Sequence, residues 1–343
     1  MSYIVRSSEK LRKPAADAET KALLYLMSFY KNSNEIYYFV IDFFNDLTGL
    51  NRIANKLWDL QSKGAKNSSP KSIGKELVTL FKNFLSEIDF EAYILFLGGV
   101  TSSFRVDNQK NIFGIENVKN DAIKKMKEGL IEECILKNYI DFDQTTDELI
   151  TMFFSKVTFV IDDKTPIEYV KNIIKNHPKL MPEDEVLKSI FEEIRDKQSL
   201  KKNANVVEDI VIQTTEEALD YCRHLTSNEI RLLTMQRIMN HNILEKGIPL
   251  PFLEIISKMP EGEKKKIINE CQMSCCRALF NSNRTEEYWS FFENAYSLIV
   301  EFPDDNVSDI YKKIDKGILE SCPDLDVHSF KYFISIMKEG LEK

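Results

Sequence analysis

Two runs dense in aromatic and β-branched residues fall within the first hundred positions of this 343-residue chain, EIYYFVIDFF at 35–44 and FEAYILFLG at 90–98, and between them the run KLWDLQSK at 56–63 alternates in a strand-like way. Such side chains suit a pleated, buried surface, so each run predicts a strand. Residues 15–31 instead place Ala16, Thr20, Leu23, Leu24, Met27 and Tyr30 at helical spacing behind Pro14. Residues 71–86 follow Ser68, Ser69 and Pro70 as a second helix, and 45–55 carry the Asn-Asp and Thr-Gly signals of a connection. The first hundred residues therefore read helix, strand, strand, helix, strand.

Beyond them the strand signal thins. Helices are expected at 115–137, 145–154, 165–177 and 183–198, with one short strand at 156–162. Residues 203–208 are polar and charged and mark a boundary. From 209 onward only helical patterns occur, broken by Pro249, Pro251, Pro260, Pro303 and Pro323. The expected architecture is an α+β domain over 1–205 with a helical extension, followed by an all-α domain over 206–343.

With 43% hydrophobic and 29% charged residues, collagen-like and disordered classes are excluded. No run reaches the roughly 18 apolar residues of a membrane span, and no apolar segment follows the basic start of the chain. The expectation is a soluble, cytoplasmic protein without membrane contact, its six scattered cysteines reduced. The net charge of −8 is uneven: residues 1–205 hold 30 basic and 30 acidic side chains, residues 206–343 hold 16 and 24. Within 1–85 the count is 13 basic to 8 acidic, a balance suited to a polyanion, whereas the acidic second part suits protein contacts. Solvated surface charge is the plainer alternative for both.

The stretch from Asp42 to Lys63 carries the chemistry. In a strand over 56–63, Asp59, Gln61 and Lys63 share one face, and Trp58, Leu60 and Ser62 the other. A lysine two residues from a metal-binding oxygen is what phosphodiester hydrolysis needs. Asp46 offers the main carboxylate, and the hard oxygens suit Mg²⁺ or Mn²⁺. An ordinary exposed strand edge gives the same Gln-x-Lys tripeptide. Asp42 inside an apolar run argues against that, because a buried carboxylate needs a partner.

These residues resemble the restriction-endonuclease-like core of the PD-(D/E)xK superfamily in its QxK form. Asp42 and Asp46 precede Gln61-Ser62-Lys63, behind a helix with Glu19 and ahead of a helix and strand. More narrowly, IDFFNDL followed by LWDLQSKGAKNSSPKSIGKEL resembles the DNA-endonuclease effectors of CBASS and Lamassu anti-phage systems, a likeness that covers about 1–205. The resemblance implies Asp46 as metal-binding Asp, Gln61 in the usual Glu or Gln position and Lys63 as catalytic lysine. Asp42 matches a neighbouring acidic position and Glu19 the first-helix carboxylate; whether Asp42 or Asp46 is the principal ligand stays open. Gln61 departs from the charged form of the motif and can offer only its amide oxygen. The resemblance further implies a restrained, Mg²⁺- or Mn²⁺-dependent double-stranded DNA endonuclease that acts as a homo-oligomer. Its layout fits the nuclease subunit of a Lamassu complex, with an SMC-like ATPase and a small accessory subunit as partners. The alternative is a degenerate nuclease fold that binds DNA or scaffolds such a complex without cutting.

Lys66, Lys71 and Lys75, with Ser68 and Ser69, form a stretch suited to DNA phosphates, since Glu76 is the sole acidic residue between 61 and 85. Other constellations carry less. Cys271, Cys275 and Cys276 lack a CxxC partner or nearby His and read as buried thiols. No GxxxxGK[ST] occurs, so no ATP hydrolysis by this chain is expected.

Overall fold

A computed structural model describes residues 3–5, 13–137, 140, 145–203, 207, 209–240, 247–281 and 284–341. The chain divides into two compact units, one comprising residues 1–170 and 191–227, the other 171–190 and 228–343.

The first unit is built on a mixed sheet. Strand β1 (Tyr3–Ile4) lies outside it and precedes helix α1 (Lys13–Ser28). Strands β2 (Tyr38–Ile41), β3 (Leu47–Leu50) and β4 (Leu57–Lys63) form an antiparallel meander. Helices α2 (Pro70–Glu76) and α3 (Val78–Leu85) then lead to β5 (Ala92–Leu97), which pairs with β4 in parallel. After β6 (Ile112–Phe113), α4 (Asn120–Leu136) and α5 (Asp147–Lys156), strand β7 (Val157–Ile161) adds parallel to β5. Next come α6 (Pro166–Ile173), α7 (Asp184–Asn203), β8 (Val211–Ile212), which pairs with β1, and β9 (His224–Thr226). The sheet order is β6-β7-β5-β4-β3-β2-β9.

Several expectations are corrected here. The run 35–44 is a strand only over 38–41; Asp42 turns the chain with φ 49°, a left-handed value that Asp tolerates better than most residues. The segment 45–55 is not merely a connection, because it contains β3. Its LTGL sequence conceals a strand: Gly49 lies where a Cβ would run into the Ile36 side chain, so close packing selects glycine there. The helix expected over 71–86 is two helices joined at Leu77. The purely helical reading after 209 fails at β8 and β9; β9 extends the sheet beside β2, so the first unit runs past position 205 to 227.

One face of the sheet packs on α2 to α5, with Ile73, Leu77, Phe81, Met126, Leu130 and Phe153 in a single apolar cluster with Leu57, Tyr93, Leu95 and Phe159. On the other face, Tyr25 of α1 meets Phe96 of β5 at 5.8 Å between ring centroids. Burying these rings and aliphatic chains is the main stabilising contribution.

The second unit contains, among its described residues, only helices and a short 3-10 turn at Pro178–Leu180. Its helices include α8 (Ser227–Ile238), α9 (Leu250–Ile256), α10 (Glu261–Phe280), α11 (Thr285–Glu301), α12 (Val307–Lys313), α13 (Lys316–Ser321) and α14 (Val327–Leu341). Trp289, Phe291 and Phe292 of α11 and Phe330 and Phe333 of α14 are buried, and Tyr296 is half-buried. Cys271 and Cys275 are buried free thiols, and burial pushes the Cys271 thiol up to about 12. No described helix is long and apolar enough to cross a membrane.

Candidate active site

The β2–β3 hairpin closes through the five-residue loop 42–46, with Ile41 opposite Leu47 and the Asp42 N–H donating to the Asp46 carbonyl at 3.1 Å. The loop holds its shape because Phe43 and Phe44 drop into the core, 3% and 2% exposed. Their aromatic character, which reads as strand, anchors a turn instead. Both aspartates therefore stand at one end of the sheet, beside the last residues of β4.

Asp46 is the group that meets the QxK strand. Its Oδ2 accepts from Gln61 Nε2 at 2.7 Å, from the Ser62 N–H at 2.9 Å and from Ser62 Oγ at 3.1 Å. Asp42 turns elsewhere: its Oδ2 accepts from Arg223 Nη2 at 3.0 Å, and its Oδ1 lies 4.0 Å from Lys202 Nζ. Glu19, buried on α1, has Oε1 3.4 Å from Lys202 Nζ, while its Oε2 has no hydrogen-bond partner among the described residues. Burial, reinforced by the charge of Asp46, raises the Glu19 carboxyl to about 7. Burial raises Asp42 to about 6 despite Lys202 and Arg223, and raises Asp46 against the hydrogen bonds from Ser62. In all three acids burial is the largest cause, and the charge of Lys202 opposes it.

Alternation along β4 follows the expectation. Asp59 faces α3, where Asn83 Nδ2 donates to its Oδ2 at 2.7 Å, and Lys63 faces α2, its Nζ 2.8 Å from Glu76 Oε1. Asp59 is fully buried, and burial lifts it to about 7. Lys63 is half exposed, and its ion pair is with Glu76 rather than with either loop aspartate. Glu19, Asp42, Asp46, Gln61, Lys63, Glu76 and Lys202 line one cleft of about 710 Å³.

The expected phosphate-binding stretch is largely engaged within the fold. Ser68 is buried and its backbone bridges to Val100, while Ser69 Oγ caps α2 by accepting from the Ser72 N–H at 3.3 Å. Lys71 and Lys75 pair with Glu132 of α4 at 2.5 and 3.4 Å. Lys66 is exposed in the turn after β4. Sequence reasoning missed Lys202 and Arg223, which lie about 160 to 180 positions from the carboxylates they pair with. The one available signal was the lysine pair ending a helix, LKKN, at 200–203.

Among the described residues no group of three or more His, Cys, Asp or Glu side chains is gathered closely enough to hold a metal ion by itself. The oxygens available in the cleft are the Asp46 carboxylate and the unpartnered Glu19 Oε2, while Gln61 turns its Nε2 rather than its amide oxygen toward Asp46. Few hard oxygens completed by water and phosphate are the usual environment of Mg²⁺, so this set fits that ion. No family model matches the chain, and neither the curated proteins nor the solved structures compared with it give a match.

Proposed function

We propose that the first unit is a restriction-endonuclease-like nuclease of the PD-(D/E)xK type, hydrolysing double-stranded DNA with Mg²⁺ or Mn²⁺. The observation that carries the reading is the 2.7 Å contact between Gln61 and Asp46, two residues from Lys63 at the mouth of a cleft. The order α1, β2–β3–β4, α2–α3, β5 supports it further.

In this reading Asp46 holds the ion, joined by the Gln61 oxygen once the amide turns its Nε2 away from Asp46, and Glu19 lines the same cleft. The bound ion supplies positive charge to a phosphate oxygen and acidity to a water. Ser62 fixes the Asp46 carboxylate through two donors. Lys63, released from Glu76, offsets charge building on the scissile phosphate. The exposed Lys66 contributes phosphate contact, which is independent of sequence and sensitive to salt. The helical unit suits the restraint such an enzyme needs. We assign it to partner binding or oligomerisation in a Lamassu-type defence complex, with an SMC-like ATPase and a small accessory subunit; that part rests on analogy of layout alone.

One observation favours the alternative, a nuclease fold that binds DNA or scaffolds without cutting: Lys63 is paired with Glu76 and a second ammonium, Lys202, sits among the carboxylates. Conversion of supercoiled plasmid by full-length protein with MnCl2 or MgCl2 decides between them. Cutting that disappears in Asp46→Asn and Lys63→Ala supports the nuclease. Cutting by both variants at the wild-type rate would sink the assignment of these residues, and retarded plasmid without cleavage would favour the scaffold.

A further inference from the structure

Lys202 is the second-last residue of α7, far outside the QxK strand, yet only 6% exposed and part of the cleft wall. Its Nζ lies 3.4 Å from Glu19 and 4.0 Å from Asp42, and its charge also acts on Asp46. The ammonium is held there from both directions. Arg223 Nη2 donates to the Lys202 carbonyl at 2.7 Å and to Asp42 at 3.0 Å, fixing the end of the helix. One turn and two turns earlier, Gln198 meets Thr20 at 2.9 Å and Arg195 meets Asp17 at 3.1 Å, so α7 lies registered along α1.

A lysine side chain loses substantial conformational freedom when it is buried, and a buried ammonium needs compensating carboxylates. Here the compensation comes from the acids that line the cleft. A divalent cation brought among the same oxygens stands within a few ångströms of that ammonium, where like charges repel strongly.

From this arrangement we infer that Lys202 sets the cation affinity of the cleft: its ammonium is the tethered counter-charge of Glu19, Asp42 and Asp46, and a divalent cation enters at its expense. The inference rests on the nuclease reading for the kind of ion, but not on any cutting activity. Lys202 is then a determinant of cation binding supplied by the chain beyond the motif, and the metal-free cleft is already charge-compensated.

Calorimetric titration of MnCl2 into full-length protein at pH 8 tests it, with wild type, Lys202→Met, Lys202→Arg and Asp46→Asn. Lys202→Met is expected to bind Mn²⁺ at least tenfold more tightly than wild type, Lys202→Arg no more tightly, and Asp46→Asn hardly at all. Wild type that binds Mn²⁺ as tightly as Lys202→Met overturns the inference and leaves the nuclease reading standing. Failure of both to bind overturns the two together. If Lys202→Met does not fold, acetylation of wild-type lysines read by mass spectrometry gives an independent answer. Labelling of Lys202 is expected to rise at saturating MnCl2, and labelling that stays unchanged while Mn²⁺ is bound refutes displacement.

Discussion

The Gln61 amide donates to the Asp46 carboxylate across 2.7 Å, tying the tip of the β2–β3 hairpin to the end of β4. Ser62 adds two more donors to the same oxygen. Asp46→Ala leaves these donors without their acceptor, at a cost of about 1–3 kcal/mol. Asp46→Asn keeps an oxygen in place and is expected to fold with a melting temperature near wild type. Plasmid cleavage in that variant should fall by at least about a hundredfold, as loss of a charge-stabilising group does. Melting curves run beside cleavage assays separate the two effects.

Lys63 and Glu76 form a pair at the surface, with Lys63 half exposed and Glu76 partly covered, and surface pairs contribute about 0–1 kcal/mol. Lys63→Ala should therefore leave stability nearly unchanged while abolishing cutting. Glu76→Gln removes the carboxylate charge beside Lys63 and is expected to raise cleavage at low metal concentration. A Lys63→Ala variant that melts many degrees lower would assign the residue a structural role instead.

Burial raises four carboxyls: Asp46, and most clearly Glu19 from 4.5 to about 7, Asp59 from 3.8 to about 7 and Asp42 from 3.8 to about 6. The folded chain then holds protons that the unfolded chain releases, so their contribution makes stability fall as pH rises from about 4 to about 7. Above that window the whole penalty is present; below about pH 4 both states are protonated and it vanishes. Asp59→Asn keeps an acceptor for Asn83 and removes one of the charges. It should match wild type near pH 4 and exceed it at pH 8 by on the order of 1–3 kcal/mol, measured by urea unfolding. Equal stability of the two proteins at pH 8 would show that Asp59 is not strained by ionisation.

The strands β5 and β7 were legible because their apolar runs are continuous, β4 because its side chains alternate, and α1 and α7 because their periodicity is strong. The site was half legible. Gln61 and Lys63 follow from strand alternation, since period 2 alone sets the face. Asp42 and Asp46 were visible as candidates, yet their roles diverge for reasons a local pattern does not carry. Phe43 and Phe44 pack as loop anchors, which bends the chain at Asp42 and delivers Asp46, not Asp42, to Gln61. Lys202 and Arg223 were hidden because burial of a cation depends on a long-range pairing. The Ser68-Ser69 pair read as an anion site, whereas one side chain is buried and the other caps a helix.

That last reassignment is testable on its own. Ser69→Ala removes the α2 cap and should cost about 1 kcal/mol. DNA retention by the full-length protein should not change, whereas Lys66→Ala should weaken it and lower its salt dependence by about one counterion. Loss of DNA binding in folded Ser69→Ala would restore the hydroxyl as a phosphate contact.

Arg223 and Asp42 test the second half of the cluster. Arg223 is fully buried, and its Nη2 spans Asp42 and the Lys202 carbonyl. Removing one member of such a pair strands the other charge, which typically costs about 3–5 kcal/mol. Arg223→Met should therefore destabilise strongly, and more at pH 8 than at pH 5, because Asp42 with its pKa near 6 can protonate once its partner is gone. Adding Asp42→Asn to Arg223→Met should recover a large part of the loss. A double mutant as unstable as the sum of the two single mutants would mean that Arg223 acts through the Lys202 carbonyl and the helix end, with its charge on Asp42 contributing little.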